Sequence, residues 1–113
     1  MAENKQYITQ TQENGTVMIS EDVISTIVGR AIEEVEGVAG LSSSNKKSWG
    51  KGIKIVISNE NQLSIECNIN VVYSHSVVNV AAAVQEAVSS AVASMTGVKV
   101  RAVNVNVCGI VRK

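Results

Sequence analysis

The chain has 113 residues, 45% of them hydrophobic but only 3% aromatic and none of them Phe, with ten basic residues balancing ten acidic ones. That length supports one domain with its own core and excludes two ordinary ones; a core so poor in rings must be filled by Val, Ile and Ala. Zero formal net charge excludes a global field that would draw in nucleic acid or an anionic membrane, so any such binding needs a local patch.

Met1 to Asn14 is polar, carries three Gln and two Asn, and has no apolar h-region. It reads as a disordered or loosely attached arm over 1–14, with the ordered α+β domain over 15–113. No run of eighteen apolar residues occurs, and the expectation is a soluble, cytoplasmic protein. Thr16 to Ile19 form a short strand. Ser20 then offers an N-cap hydroxyl, and Glu21 and Asp22 suit the positive end of a helix dipole. The helix that starts there has Ile24, Ile27, Val28, Ala31, Ile32 and Val35 as its inner stripe. Gly29, costly inside a helix, marks close approach to a neighbouring backbone. Gly37-Val38 reads as a C-cap that leads into extended chain, a pairing repeated at Gly97-Val98.

A short strand through Leu41 enters the one clear loop, from Ser42 to Gly52. Ile53, Ile55 and Ile57 restore alternation, and after a turn at Asn59–Gln62 a long strand places Leu63, Ile65, Cys67, Ile69, Val71 and Tyr73 on one face. The pair predicts an antiparallel hairpin. From Val77 the period changes, with Ser74 or Ser76 as cap and Val77, Ala81, Val84, Val88, Ala91 and Met95 as the apolar stripe of a second helix. Small residues such as Ala81, Ala82 and Ala83 let it lie close to the sheet. Beyond Gly97, Val98 and Val100 alternate, then the phase shifts to Val103, Val105 and Val107, which predicts a β-bulge near Arg101 and Ala102. A parallel, right-handed crossing between the two long strands follows if they share a sheet.

Chemistry-bearing residues are few. Asp22, the only Asp, sits where helix capping explains it, and His75, the only His, has no second ligand at useful spacing. Cys67 and Cys108 lie in apolar alternating runs and read as buried reduced thiols rather than a disulfide. Gly37-Val38-Ala39-Gly40 matches the spelling of an RNA-clamping G-x-x-G loop, but the glycines leave a helix for an apolar strand, so cap-and-strand geometry is the preferred reading. Lys46, Lys47, Trp49 and Lys51 combine an amphipathic ring with local positive charge. That tip suits a headgroup surface or an acidic partner, while the alternative has Trp49 folding back over a core edge.

The entry Gly15-Thr16-Val17-Met18-Ile19-Ser20, the helix end Val35-Glu36-Gly37-Val38, the strand end Val71-Val72-Tyr73, Val84-Gln85, Gly97-Val98 and the exit Val103-Asn104-Val105-Asn106-Val107 together resemble the alkaline shock protein family, envelope stress response proteins found mainly in Gram-positive bacteria. Order and spacing carry the resemblance, over about Gly15 to Ile110. It implies a non-enzymatic cytoplasmic protein that self-assembles and is recruited to the inner face of the membrane by a membrane-anchored partner, in support of cell-envelope homeostasis.

The expected fold is therefore α+β: one domain, a mixed sheet of four to five strands and two amphipathic helices packed on one face. The other sheet face, with Glu66, Asn68, Asn70, Asn104 and Asn106, is open or an assembly surface. A chain without Pro has little to blunt its strand edges, so a homo-oligomer is expected, with Asn104 and Asn106 as self-association residues. No catalytic residue, cofactor, metal, small-molecule substrate or nucleic-acid partner is expected. The alternative is a small RNA-binding module.

Overall fold

The computed structural model describes residues 7–41, 52–58 and 62–112. Its elements in chain order are β1 (Tyr7–Gln12), β2 (Gly15–Ser20), α1 (Glu21–Glu33), β3 (Val38–Leu41), β4 (Ile53–Ile57), β5 (Leu63–Val72), α2 (Val77–Thr96) and β6 (Val100–Val111). Alternation along β5 decides the architecture. Leu63, Ile65, Cys67, Ile69 and Val71 are fully buried, while the residues between them are half-buried. One edge of β5 is shared end to end by β3 and β4, both antiparallel, and the other edge pairs with β6 in parallel. This is the expected mixed sheet, with four strands; β1 and β2 form a separate antiparallel pair.

Both helices lie on the apolar face of the sheet, α1 beside β3 and β4 and α2 beside β6. Three of the four helix caps are those the sequence announces. Ser20 Oγ accepts the Val23 N–H at 3.4 Å, Ser76 Oγ accepts the Asn79 N–H at 3.3 Å, and Gly97 closes α2 at φ 76° while its N–H donates to the Ala93 carbonyl. α1 stops earlier than expected, at Glu33 with Glu34 as C-cap. Gly37, at φ 96°, lies in the turn beyond it and is not the cap. Glycine is needed there for that φ and also because a Cβ would come within 2.7 Å of Val80 and 3.0 Å of His75.

The stripe of α2 also differs from the expected one. Val80, Val84, Val88 and Val92 form its buried ridge, at steps of four, whereas Met95 is exposed. The reason is that α2 serves two neighbours: the valine ridge faces the sheet, and Ala87 and Ala91 turn toward Ile27 and Ala31 of α1. By length and hydropathy alone α2 is able to cross a membrane, yet that ridge is committed to the core of the domain.

Register in β6 confirms the bulge near Arg101: Leu63 faces Val100 and Ser64 faces Ala102, leaving Arg101 extra. A second irregularity leaves Cys108 extra between Val107 and Gly109. Tyr73, expected on the apolar face of β5, lies past its end and is exposed, with the Arg112 guanidinium 5.4 Å from its ring centroid. The expected disordered arm over 1–14 is corrected for Tyr7–Asn14. Tyr7–Gln12 pairs with β2, Ile8 opposite Ile19 is fully buried, and Gln10 Nε2 donates to the Gly97 carbonyl at 2.9 Å. One isoleucine and a ladder of backbone bonds anchor a segment whose composition is otherwise polar. Met1–Gln6 lie outside the described residues.

Two substitutions test this packing. Val84→Asp buries a charge without a partner and is expected to cost about 3–5 kcal/mol, read as a collapse of the urea midpoint. Gly29→Ala should stabilise instead. Its new methyl would sit 3.6 Å from Ile53 Cδ1, an ordinary contact, and removing a mid-helix glycine gains roughly 0.5–1 kcal/mol, a rise of several degrees in Tm.

Candidate interaction surface

The sheet face turned away from the helices is built by the even residues of β5 and their neighbours on β6. Glu66 faces Asn104 and Asn68 faces Asn106 across the parallel ladder. Asn106 Nδ2 donates to Asn68 Oδ1 at 2.9 Å. The two expected self-association residues thus share one exposed face, and Asn106 is already engaged within the chain. Asn70 faces Gly109, where a side chain would come within 3.0 Å of its Oδ1. Beside the Glu66 carboxylate the carboxamides offer donors and acceptors without charge, so the face suits hydrogen-bonded contact.

Among the described residues β6 pairs with β5 alone, which leaves its twelve-residue outer edge uncovered. One guard is present. Gln85 Nε2, from α2, donates to the Val103 carbonyl at 3.0 Å, taking up one acceptor of that edge. The opposite edge is interrupted instead: Leu41 lies opposite Ile69, Ile53 opposite Cys67, and the Asn68 N–H donates to the Gly52 carbonyl at 2.8 Å. The chain therefore leaves and rejoins the middle of this edge at nearly the same point. Lys46, Lys47, Trp49 and Lys51, the expected partner or membrane contact, lie between those points and outside the described residues.

Asp22 stands in the first turn of α1, where its backbone carbonyl accepts the Thr26 hydroxyl. His75 is exposed in the turn before α2, its ring against Gly37. Among the described residues no three His, Cys, Asp or Glu side chains converge as metal ligands would. Gly37, at φ 96°, lies in the turn from α1 to β3, where its carbonyl accepts the Val72 N–H, and Gly40, at φ 150°, lies inside β3 opposite Asn70. The two glycines thus span a helix-to-strand turn and a strand, not a clamp between two helices.

Sequence reasoning missed the exposed apolar ends of the molecule: Val17 and Met18 on β2, and Tyr73, Val78, Ile110 and Val111 at the far end. A signal was available in Val17-Met18, because adjacent residues of a strand point to opposite faces, so that no single covering element could bury both.

The cysteines differ sharply. Cys67 is fully buried, its Sγ 3.8 Å from the Asn104 carbonyl, and burial pushes its thiol up to about 11. Cys108, expected to be buried, is exposed because the bulge displaces it from the alternation. A thiol-reactive dye at pH 8 should modify one cysteine in the native protein and two in denaturant, with Cys108→Ser abolishing the native reaction. Since Cys67 stays neutral in the fold while its unfolded counterpart ionises near 9, its contribution is full below pH 9 and is lost as pH rises toward 11. Cys67→Ala should flatten that alkaline decline in stability.

Comparison with known proteins places this architecture. Spy1535 of Streptococcus pyogenes is 35% identical over 107 residues, 89% of this chain and 83% of that protein. YqhY of Bacillus subtilis is 30% identical over 105 residues, 85% of this chain and 77% of that protein. Among solved structures, a variant of the MamM CTD superposes with a TM-score of 0.53 at 19% identity, over 79% of this chain and 94% of that one, a likeness of fold. Residues 9–112 match the model of the alkaline shock protein family, described as having a "cell envelope-related function". The chain belongs to the alkaline shock protein family.

Proposed function

We propose that this protein is a non-enzymatic, cytoplasmic component of cell-envelope maintenance that self-associates and reaches the membrane through a membrane-anchored protein. The observation that carries the reading is β6: a twelve-residue strand that pairs on one side only among the described residues, beside a carboxamide-rich face. Such an edge favours addition of another chain. Family membership supports the envelope side of the reading, because the family's function is cell envelope-related. The membrane-partner contact is assigned to Lys46, Lys47, Trp49 and Lys51, which pair positive charge with an amphipathic ring in the sequence between Leu41 and Gly52.

The test compares native membranes with protein-free vesicles of the same lipids. The purified chain should sediment with the membranes, lose that binding after the membranes are treated with protease, and leave the vesicles empty. Trp49→Ala combined with Lys→Ala at 46, 47 and 51 should abolish binding without moving the melting temperature. Equal binding to the protein-free vesicles would refute recruitment by a protein and put lipid in its place.

A further inference from the structure

The two ends of α2 carry different exposed apolar surfaces. At its C-terminal end stands the β1–β2 hairpin, tied there by the Gln10 bond to Gly97. Every residue from Thr11 to Met18 is exposed, including Val17 and Met18, the latter 62% accessible. A two-stranded ribbon with both faces in water is marginal by itself. At the other end, Val78 in the first turn of α2 is 76% accessible, and at the end of β6 Ile110 is 57% accessible, with Val111 and Tyr73 exposed as well. Tyr73 and Val111 are joined there by a 2.7 Å backbone bond.

We infer that the hairpin tip of one copy docks on the Tyr73, Val78, Ile110 and Val111 surface of a second copy, giving a head-to-tail contact. This inference rests on the self-association proposed above and places the contact between copies on these two surfaces, which leaves the β6 edge to the membrane-anchored partner. A second copy is the occupant for two reasons. First, the surfaces cannot meet within one chain, because the nineteen-residue rise from Val78 to Gly97 separates them by about 28 Å. Second, their charges are complementary. The hairpin turn carries Glu13, whereas the first turn of α2 has no acidic residue to offset its positive dipole end and Arg112 lies alongside over Tyr73.

Each docked copy presents a free hairpin at one end and a free apolar surface at the other, so the contact propagates into rings or open chains. Eight exposed hairpin residues are fewer than the roughly 20–30 a side of a standard interface, so one contact is weak and assembly depends on concentration.

Met18→Asp removes the hairpin surface and Ile110→Asp removes its receptor, both at exposed positions. Met18→Ser and Val78→Asp replace them if either melts early. In sedimentation velocity from about 5 to 200 μM, a range that reports weak specific contacts, the parent's mean mass should climb past twice 12.0 kDa. Each variant alone should remain monomeric. Their equimolar mixture should form dimers and stop there, because it holds one intact contact and no second one. A parent that assembles while both variants assemble equally well would overturn this interface and leave self-association standing. Monomeric variants whose mixture is also monomeric would overturn the head-to-tail arrangement, and a parent that stays monomeric throughout would overturn self-association itself.

Discussion

β5 is hydrogen-bonded along both edges and buries five side chains completely on one face, so it has no freedom left, and the other elements take the positions it leaves them. β6 must run parallel on one edge because α2 carries the chain back across the sheet before it begins. β3 and β4 divide the other edge, with the Asn68 N–H and the Gly52 carbonyl marking the join. The two helices then cover the one face that needs covering, and the polar face stays open.

The chemistry of the core follows from the near absence of rings. Isoleucine and valine fill the space between sheet and helices, and the fully buried set also includes Leu63 and Cys67. Stiff, branched side chains lose little conformational entropy on burial and pack well on a pleated surface. They do so at steps of two on β5 and at steps of four on α2. Cys67 belongs to this set as a small apolar group, and its raised pKa is a consequence of that burial rather than of any reactive partner.

What remains for function is the surface that the core does not use. Among the described residues it comprises the carboxamide face, the outer edge of β6, the hairpin and the exposed apolar residues near Ile110, which offer hydrogen-bonding and apolar groups. Protein edges of this kind are normally blunted by charge, Pro or a cover. Here the bond from Gln85 to the Val103 carbonyl takes up one edge group. The architecture and the family's cell envelope-related function therefore point in one direction.

By itself the sequence determined what is local. The alternation of β5, the Ser20 and Ser76 caps, the left-handed Gly97 and the phase shift at Arg101 each depend on a few consecutive residues and on backbone chemistry that acts within them. Fold class was legible for the same reason, since one apolar stripe per helix and one apolar face on the main strand admit few arrangements. Tertiary structure alone decided which surface each residue meets. Ile8 looked like a stray apolar residue until β2 paired beside it, and Val80 and Val92 joined the ridge of α2 only because α1 took up the neighbouring side of that helix. Cys108 and Tyr73 continued an apolar alternation in the sequence, yet a bulge displaced one and the end of β5 exposed the other. Burial is a property of what covers a side chain, and the covering element lies far away along the chain.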